Sequence, residues 1–344
     1  MRDERALPWL APTLQTLLHE ARGHALILHG GAGSGVLELS LRLAQGWLCE
    51  AADAAARPCD QCGSCHLVRQ RAHPDLRLLL PELWQQQLGL SDASEEGGDG
   101  EGKSKRKPSK DIRVEAIRQA IDWTHTTSGR GRGKVLVMFP ADAMNPVSAN
   151  ALLKTLEEPA AGLRLVLCTD DPERLLPTIR SRCQRHRLPP PSREASLAWL
   201  SAQGVADAPA LLGACGDEPL SVESAVAQGL SAAVWRGLPA QLAAGDGRVL
   251  SAMAIPDQVR VLQQLCHDAM AVAVGGAPRF FPAEALPAGA ALPALLSWSR
   301  ELGRTARHAE HPWQAALLSD ALLRQAQEAL RRPGPARRVG TLRG

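Results

Sequence analysis

A-L-I-L-H-G-G-A-G-S-G-V-L, at residues 25–37, is the stretch of the sequence that decides the fold. A phosphate-binding loop reads G-x-x-x-x-G-K-[ST]: its glycines let backbone N–H groups cradle phosphates, its lysine reaches the β- and γ-phosphates, and its hydroxyl holds Mg²⁺. Gly30 and Gly35 hold the two glycine positions, whereas Val36 stands at the lysine position and Leu37 at the hydroxyl position. The frame of a phosphate-binding site is therefore present, and its charged groups are missing.

The glycine loop, which also contains Gly33, follows an apolar run that predicts a buried strand and precedes apolar residues at helical spacing. Strand, glycine loop and helix in this order begin an α/β nucleotide-binding domain. Alternation continues through the first half of the chain, where we predict strands at 25–28, 75–80, 134–138 and 163–168 and helices at 12–22, 36–48, 111–126, 148–157 and 175–182. Strands that alternate with helices imply a mostly parallel sheet.

The proline-rich L-P-P-P at residues 188–191 marks a boundary, after which every predicted element is a helix. We therefore predict an α/β domain over residues 1–188, followed by a helical remainder. Residues 89–110 and the basic tail 333–344 are too polar and glycine-rich to bury apolar surface, so we expect a disordered insert and a flexible tail.

The composition limits the class of protein. The 344 residues are enough for two or three domains of roughly 100–200 residues each. A net charge of +3 gives no strong field toward nucleic acid or lipid. The sequence begins M-R-D-E-R without the apolar core of a signal peptide, and it contains no apolar run long enough to span a membrane. We expect a cytoplasmic protein without membrane contact.

Four of the eight cysteines lie close together, as Cys49, Cys59, Cys62 and Cys65. A tight cluster in a reducing compartment indicates a metal site rather than disulfides, and four thiolates suit tetrahedral Zn²⁺. With four protein ligands no coordination position stays open, so such a zinc would be structural. His66 is a reserve fourth ligand in case Cys49 lies too far away.

Three other interpretations of the cysteines exist. C-G-S-C-H at residues 62–66 matches a haem attachment signature, but the chain has no export signal. The bacterial ferredoxin pattern needs a further cysteine three residues on, followed by proline, and both are missing here. Free thiols are the third interpretation.

Two further segments carry distinctive patterns. N-A-L-L-K-T-L-E-E-P at residues 150–159 predicts an amphipathic helix from which Lys154 and Glu157 can reach solvent or a neighbour. T-I-R-S-R-C at residues 178–183 contains arginine, a planar and permanently charged donor that can be offered to another subunit's γ-phosphate. Taken singly, the first is an ordinary helix and the second a surface arginine with a local salt bridge.

Taken together, these segments resemble the AAA+ subunits of clamp loaders, in particular the bacterial DNA polymerase III clamp loader. The strings at 150–159 and S-R-C at 181–183, with cysteines inserted after the helix that follows the glycine loop, carry this resemblance. It covers most of residues 7–190. The resemblance implies an AAA+ domain with a zinc module at 49–66, a small helical lid at 189–230 and an all-α collar at 231–332.

The ATPase subunits of this family keep the loop lysine and threonine, and an Asp-Glu pair after the strand that precedes the N-A-L-L-K helix. Those acidic positions are Phe139 and Pro140 here, and Asp142 is displaced from the strand end. G-D-E-P-L at residues 216–220 has no arginine where the lid of an ATPase subunit usually carries one. The resemblance therefore implies a member that does not turn over ATP and holds structural zinc.

The same resemblance implies a role in trans. Arg182, flanked by Ser181 and Cys183, would be presented to the ATP of a neighbouring subunit. The implied partners are the gamma/tau ATPase subunits and the delta subunit, with the sliding clamp and primed DNA reached through the complex.

Two other functions stay open. The chain could be a stand-alone zinc-containing adaptor with an inert AAA+ domain, or a divergent gamma/tau-like ATPase that binds nucleotide without the lysine. In the helical remainder, five leucines are expected either in a collar interface or in an intramolecular core: Leu262, Leu265, Leu317, Leu318 and Leu322.

Overall fold

The computed structural model describes residues 7–21, 23–31, 33–90, 108–308 and 314–331. The chain forms two compact units, Met1–Ala195 and Ser196–Gly344.

The first unit is built on a five-stranded parallel sheet. Its strands, in chain order, are β1 (Ala25–His29), β2 (Leu76–Leu79), β3 (Lys134–Met138), β4 (Leu163–Thr169) and β5 (Gln184–Arg187). Their order across the sheet is β2-β3-β4-β1-β5, so β1 lies between β4 and β5. Strands β1, β3 and β4 are almost wholly buried, which explains why apolar residues dominate their sequences.

Helices cover both faces of this sheet. In chain order they are α1 (Leu10–Glu20), α2 (Val36–Leu48), α3 (Gly63–Arg69), α4 (Glu82–Gln87), α5 (Val114–Thr124), α6 (Pro146–Glu157) and α7 (Pro177–Arg180). Helix α2 contacts β1, β3 and β4, whereas residues of α5, α6 and α7 share a buried cluster with the opposite face of the sheet. The predicted class, a parallel α/β domain followed by helices, is confirmed.

Helix α6 begins two residues earlier than its apolar pattern indicates. The side chain of Asn145 accepts a hydrogen bond from the backbone N–H of Ser148 at 2.9 Å, and Pro146 occupies the first turn. Both features favour a helix start at this point, because the cap satisfies a free N–H and proline has none to satisfy. Its apolar face is buried through Leu152 and Leu156, as predicted.

Some elements were not predicted. Strand β5 has the sequence Q-R-H-R, without one apolar residue, and it pairs only with β1 at the edge of the sheet. Apolar periodicity cannot reveal such a strand, since its place comes from backbone pairing. The short helices α3 and α4 were missed for a related reason, because their length gives no readable period.

The predicted disordered insert at 89–110 falls mostly on residues 91–107, which lie outside the described residues. Its end is a correction, because Ser109 belongs to the fold. The backbone N–H of Ser109 donates to the Glu82 carboxylate at 2.8 Å, and its carbonyl accepts from Leu83 at 3.1 Å. The predicted tail at 333–344 also lies outside the described residues.

The second unit is helical throughout its described part. From the boundary onward the helices are α8 (Arg193–Ala202), α9 (Ala208–Ala214), α10 (Pro219–Ala227), α11 (Ala232–Ala244), α12 (Arg248–Ser251), α13 (Ile255–Ala273), α14 (Leu292–Ala306) and α15 (Ala315–Leu330). In its core, the rings of Trp235 and Phe281 stack with centroids 4.1 Å apart. None of the helices in the described ranges combines the length and apolarity that a membrane span requires.

The five leucines of the predicted collar divide between core and surface. Leu262, Leu265 and Leu322 are fully buried in the core of this unit, and Leu318 packs against it. Leu317 is 65% exposed. The intramolecular interpretation therefore holds for the buried members, and the division of this region into a lid and a collar stays a prediction.

Two glycines bring the turns before β3 and β4 into contact. Gly133 and Gly162 both have positive φ, at +84° and +73°. The backbone N–H of Lys134 donates to the carbonyl of Gly162 at 3.1 Å, and a Cβ on Gly133 would collide with that same carbonyl oxygen. Because the obstacle is backbone, it cannot move aside cheaply.

We predict that Gly133→Ala lowers the free energy of unfolding by at least about 3 kcal/mol, because it adds a clash to a left-handed backbone. The matched control is Gly131→Ala, where φ is +73° and the space is open. That control should lose about 1–2 kcal/mol, the cost of the backbone conformation alone. Urea unfolding of both variants makes the comparison, and equal losses would contradict the close approach.

Candidate functional site

The glycine loop lies where the sequence predicts it, between β1 and α2 at the carboxyl edge of the sheet. Gly35 adopts a left-handed conformation with φ of +98° and caps α2, and its carbonyl accepts the first helical bond, from Leu39, at 2.8 Å. The N–H and hydroxyl of Ser34 both donate to the carbonyl of Gly31, at 3.0 and 2.7 Å. The loop therefore keeps its turn, and both hydrogen-bond donors of Ser34 are used within the loop.

The loop is covered by the segment that precedes and begins α1. The indole N–H of Trp9 donates to the carbonyl of Ser34 at 2.8 Å. A Cβ on Gly35 would lie 3.3 Å from a methyl carbon of Leu7 and 3.4 Å from one of Leu10. Apolar side chains thus pack directly against the loop.

The two residues that replace the motif's charged groups belong to the core. Val36 and Leu37 are 6% and 7% exposed. A P-loop lysine and threonine must instead face the phosphates and the metal ion. The substitutions therefore replace the ammonium and hydroxyl groups of the motif with buried apolar side chains.

Asp142, in the turn that follows β3, is bound to neighbouring side chains of the same chain. Asp142 is 7% exposed, accepts a hydrogen bond from the Thr169 hydroxyl at 2.8 Å and pairs with the Arg174 guanidinium at 2.8 Å. At the position of the missing acidic pair, the ring of Phe139 packs edge-on against Trp84 with centroids 4.8 Å apart. Each carboxylate oxygen of Asp142 therefore already has a protein partner.

His29, the last residue of β1, is held neutral. Burial and the positive charges of Arg187 and Arg185 on the adjacent strand lower the pKa of His29. A neutral imidazole adds no positive charge beside the glycine loop. It therefore does not replace the missing lysine.

The four clustered cysteines converge at the end of α2 and the start of α3. Their sulfur atoms all lie within 4.8 Å of one another, with 4.0 Å between Cys49 and Cys62 and 3.9 Å between Cys59 and Cys65. A tetrahedral zinc with bonds of about 2.3 Å separates its sulfur ligands by about 3.8 Å. The donor set therefore fits a tetrahedral metal ion of that size.

The backbone around the cysteines is arranged for thiolates. Backbone N–H groups of Cys59, Cys62 and Cys65 each point at a sulfur of another cysteine, at 3.4 Å. Backbone N–H groups lower the pKa of the Cys59 thiol to about 6, whereas burial raises the pKa of Cys49 and Cys65. A cation among the sulfur atoms would favour the thiolate forms of the buried cysteines. His66 instead contacts Arg69 at 2.6 Å, and Cys49 is close enough that no reserve ligand is needed.

A polar network that the sequence analysis missed joins the cysteine segment to the sheet. The Arg130 guanidinium pairs with Glu50 at 2.6 Å, and both contact the Ser64 hydroxyl. His73 bridges Ser64 and the backbone N–H of Asp75, and the Asp75 carboxylate accepts the Arg130 backbone N–H at 2.9 Å. Burial lowers the pKa of His73, which keeps it neutral in this ring of contacts. Glu50 and Ser64 adjoin cysteines, so the network fixes the metal-ligand segment in place.

The predicted trans-acting arginine lies between α7 and β5. Ile179 on one side is fully buried, and on the other side burial raises the pKa of the Cys183 thiol to about 12. Ser181 is exposed, and its hydroxyl donates to the carbonyl of Thr178 at 3.1 Å. Arg182 is also exposed and pairs with Glu157 at 2.6 Å. This ion pair joins the segment at 150–159 to the segment at 178–183, a contact that the sequence did not predict.

Arg182 and the glycine loop lie at opposite edges of the sheet. The arginine precedes β5, whereas the loop follows the adjacent parallel strand β1. The five residues of β1 separate these edges by about 13 Å at about 3.3 Å per residue. Arg182 therefore cannot serve the loop of its own chain.

The cysteine module, the covered glycine loop and the exposed arginine define a class: the AAA+ subunits of clamp loaders. A family model described as "DNA polymerase III, delta subunit" matches residues 10–192, and the chain belongs to this family. The resemblance in the sequence is therefore confirmed.

Curated relatives agree with this family. The DNA polymerase III subunit delta' of Pseudomonas aeruginosa is 36% identical over 229 residues, which cover 65% of this chain and 62% of the relative. The subunit delta' of Escherichia coli K12 is 33% identical over 61% of this chain and 57% of the relative. The subunit tau of Salmonella typhimurium is 32% identical over 48% of this chain and 21% of the relative. The chain thus spans less than two thirds of the length of these relatives.

We predict that Val36→Lys, which restores the motif's lysine, lowers the free energy of unfolding by about 2–4 kcal/mol because a charge enters the core. Val36→Met is the control and should cost less than about 1.5 kcal/mol. ATP with Mg²⁺ should leave the melting temperature of both variants unchanged. A lysine variant as stable as its parent, and stabilised further by ATP, would show that the loop is open.

Proposed function

We propose that this chain is the non-hydrolysing delta-prime subunit of the DNA polymerase III clamp loader and supplies Arg182 to the ATP of a neighbouring subunit. The observation that carries the proposal is the position of Arg182: exposed, on a backbone anchored by Ile179, and at the sheet edge away from the chain's own glycine loop. An arginine in that position can reach a nucleotide only on another molecule.

The chain's own loop is proposed to be inactive in hydrolysis. Phosphoryl transfer depends on a cradle of N–H groups, a lysine, and metal ions held by hydroxyl and carboxylate groups. Here Val36 and Leu37 are buried, Asp142 is bound to Thr169 and Arg174, and apolar side chains cover the loop. The lysine position, the hydroxyl position, the carboxylate and the access to the loop therefore each differ from those of a hydrolysing site.

The partners follow from the same proposal. They are the gamma/tau ATPase subunits and the delta subunit, in a hetero-oligomer that loads the sliding clamp onto primed DNA in the cytoplasm. DNA binding by this chain would then occur within the complex. The support is the family match together with relatives named as delta' and tau subunits.

The cysteine cluster is proposed to hold one structural Zn²⁺ through Cys49, Cys59, Cys62 and Cys65. The sulfur spacing and the N–H groups directed at the sulfurs support zinc over free thiols. Bound there, the ion would supply charge neutralisation and cross-linking, since four protein ligands leave no position for substrate.

We predict that Arg182→Ala slows ATP hydrolysis at the adjacent ATPase site of a reconstituted complex by about 10³–10⁵, the range for arginines that act in trans. Arg182→Lys should recover little, because an ammonium lacks the planar fork. The control is Arg185→Ala, a surface arginine on the following strand. The chain alone should be silent, and turnover by it would favour the divergent ATPase instead.

We predict one zinc per chain, measured by elemental mass spectrometry on protein purified without chelator. Cys59→Ser and Cys62→Ser should each abolish stoichiometric zinc and lower the melting temperature, because unpaired thiolates and lost ligands destabilise the segment. Cys215→Ser lies outside the cluster and should retain zinc. Iron, or no metal in the parent protein, would overturn the zinc assignment.

A further inference from the structure

Helix α6 ends with two glutamates, which are unfavourable for the stability of the helix at this position. Glu157 is its last residue and Glu158 is its C-terminal cap. The negative end of the helix dipole lies there, so carboxylates are disfavoured and cations preferred. Within the described part of the chain, the cation paired with Glu157 is Arg182.

The hydrogen bonds of Arg182 divide its guanidinium into two edges. Nε donates to a carboxylate oxygen of Glu157 at 2.9 Å, and Nη2 forms an ion pair with the same oxygen at 2.6 Å. Nη1 donates to the carbonyl of Thr178 at 2.9 Å and approaches the Ser181 hydroxyl at 3.3 Å. The side edge of the guanidinium, formed by Nε and Nη2, is therefore bound to Glu157, and Nη1 is bound to Thr178.

The end edge, formed by Nη1 and Nη2, can accept an incoming anion if the anion displaces the Ser181 hydroxyl from Nη1. A guanidinium has five N–H donors in a planar fork, and two parallel donors match the oxygens of a phosphate. The long contact to Ser181 is the one that a phosphate oxygen can replace. The contacts with Glu157 and Thr178 restrict the rotamers of the Arg182 side chain before the phosphate arrives.

We propose that Glu157 is a positioning residue for Arg182: it fixes the side edge of the guanidinium so that the end edge is presented to the phosphates of a neighbouring subunit's nucleotide. This inference rests on the proposed function. It also assigns a role to the last turn of the N-A-L-L-K-T-L-E-E-P helix, which lies at the same sheet edge as Arg182. The carboxylate acts only through the arginine and does not touch the nucleotide.

The test measures kcat and KM for ATP in the reconstituted complex. Glu157→Ala should lower kcat about three- to tenfold, with KM unchanged, because a rotamer-rich side chain must now be ordered during the reaction. Glu157→Gln keeps an acceptor oxygen and should recover part of the loss. With Arg182→Ala in the background, Glu157→Ala should cause no further decrease.

Two controls separate positioning from folding. Glu158→Ala removes the neighbouring exposed charge and should leave kcat unchanged. The melting temperature of the isolated Glu157→Ala chain should stay within about 2 °C of the parent, since exposed ion pairs contribute little to stability.

The outcomes distinguish the two proposals. If Arg182→Ala slows hydrolysis while Glu157→Ala leaves kcat unchanged or raises it, the positioning role is wrong and the trans-acting arginine stands. If Glu157→Ala slows the complex further in the Arg182→Ala background, the carboxylate acts independently and the positioning role is again wrong. If Arg182→Ala itself has no effect, both proposals fail.

Discussion

The parallel pairing of β1 with β4 and β5 is the constraint on which the rest of the first unit depends. It sets His29 level with Thr169 on one side and Arg187 on the other. Backbone bonds continue the pairing beyond the strands, from Gly30 to Thr169 at 3.4 Å and from Leu188 to His29 at 2.7 Å. Because this register comes from buried apolar side chains and backbone bonds, the glycine loop keeps its place even though its charges are lost.

The same constraint separates the two functional edges. In a parallel sheet every strand enters at one edge and leaves at the other, so segments that precede strands gather together. The end of α6 precedes β4, and Arg182 precedes β5, which brings Glu157 and Arg182 into contact. The glycine loop and Asp142 follow their strands, and Thr169 ends β4, so all three lie at the opposite edge. This topology places the arginine away from its own loop.

The sequence predicts well what depends on local pattern. Strand β3 was predicted residue for residue at 134–138, because the four buried residues after Lys134 form a continuous apolar run. The convergence of the four cysteines also follows from their spacing. Strand β5 was missed because its sequence is polar, and only its partner β1 makes it a strand. The contacts of Glu50 with Arg130 and of Glu157 with Arg182 join residues 80 and 25 positions apart, a relation that no local pattern contains.

The cover over the glycine loop has a thermodynamic consequence. A protein that binds nucleotide gains stability as the nucleotide concentration rises, by mass action. Here Leu7, Trp9 and Leu10 contact the loop from within the same chain. Their effective concentration at the loop is therefore fixed by the fold. The stability that these contacts give the loop therefore does not depend on the concentration of any molecule in solution.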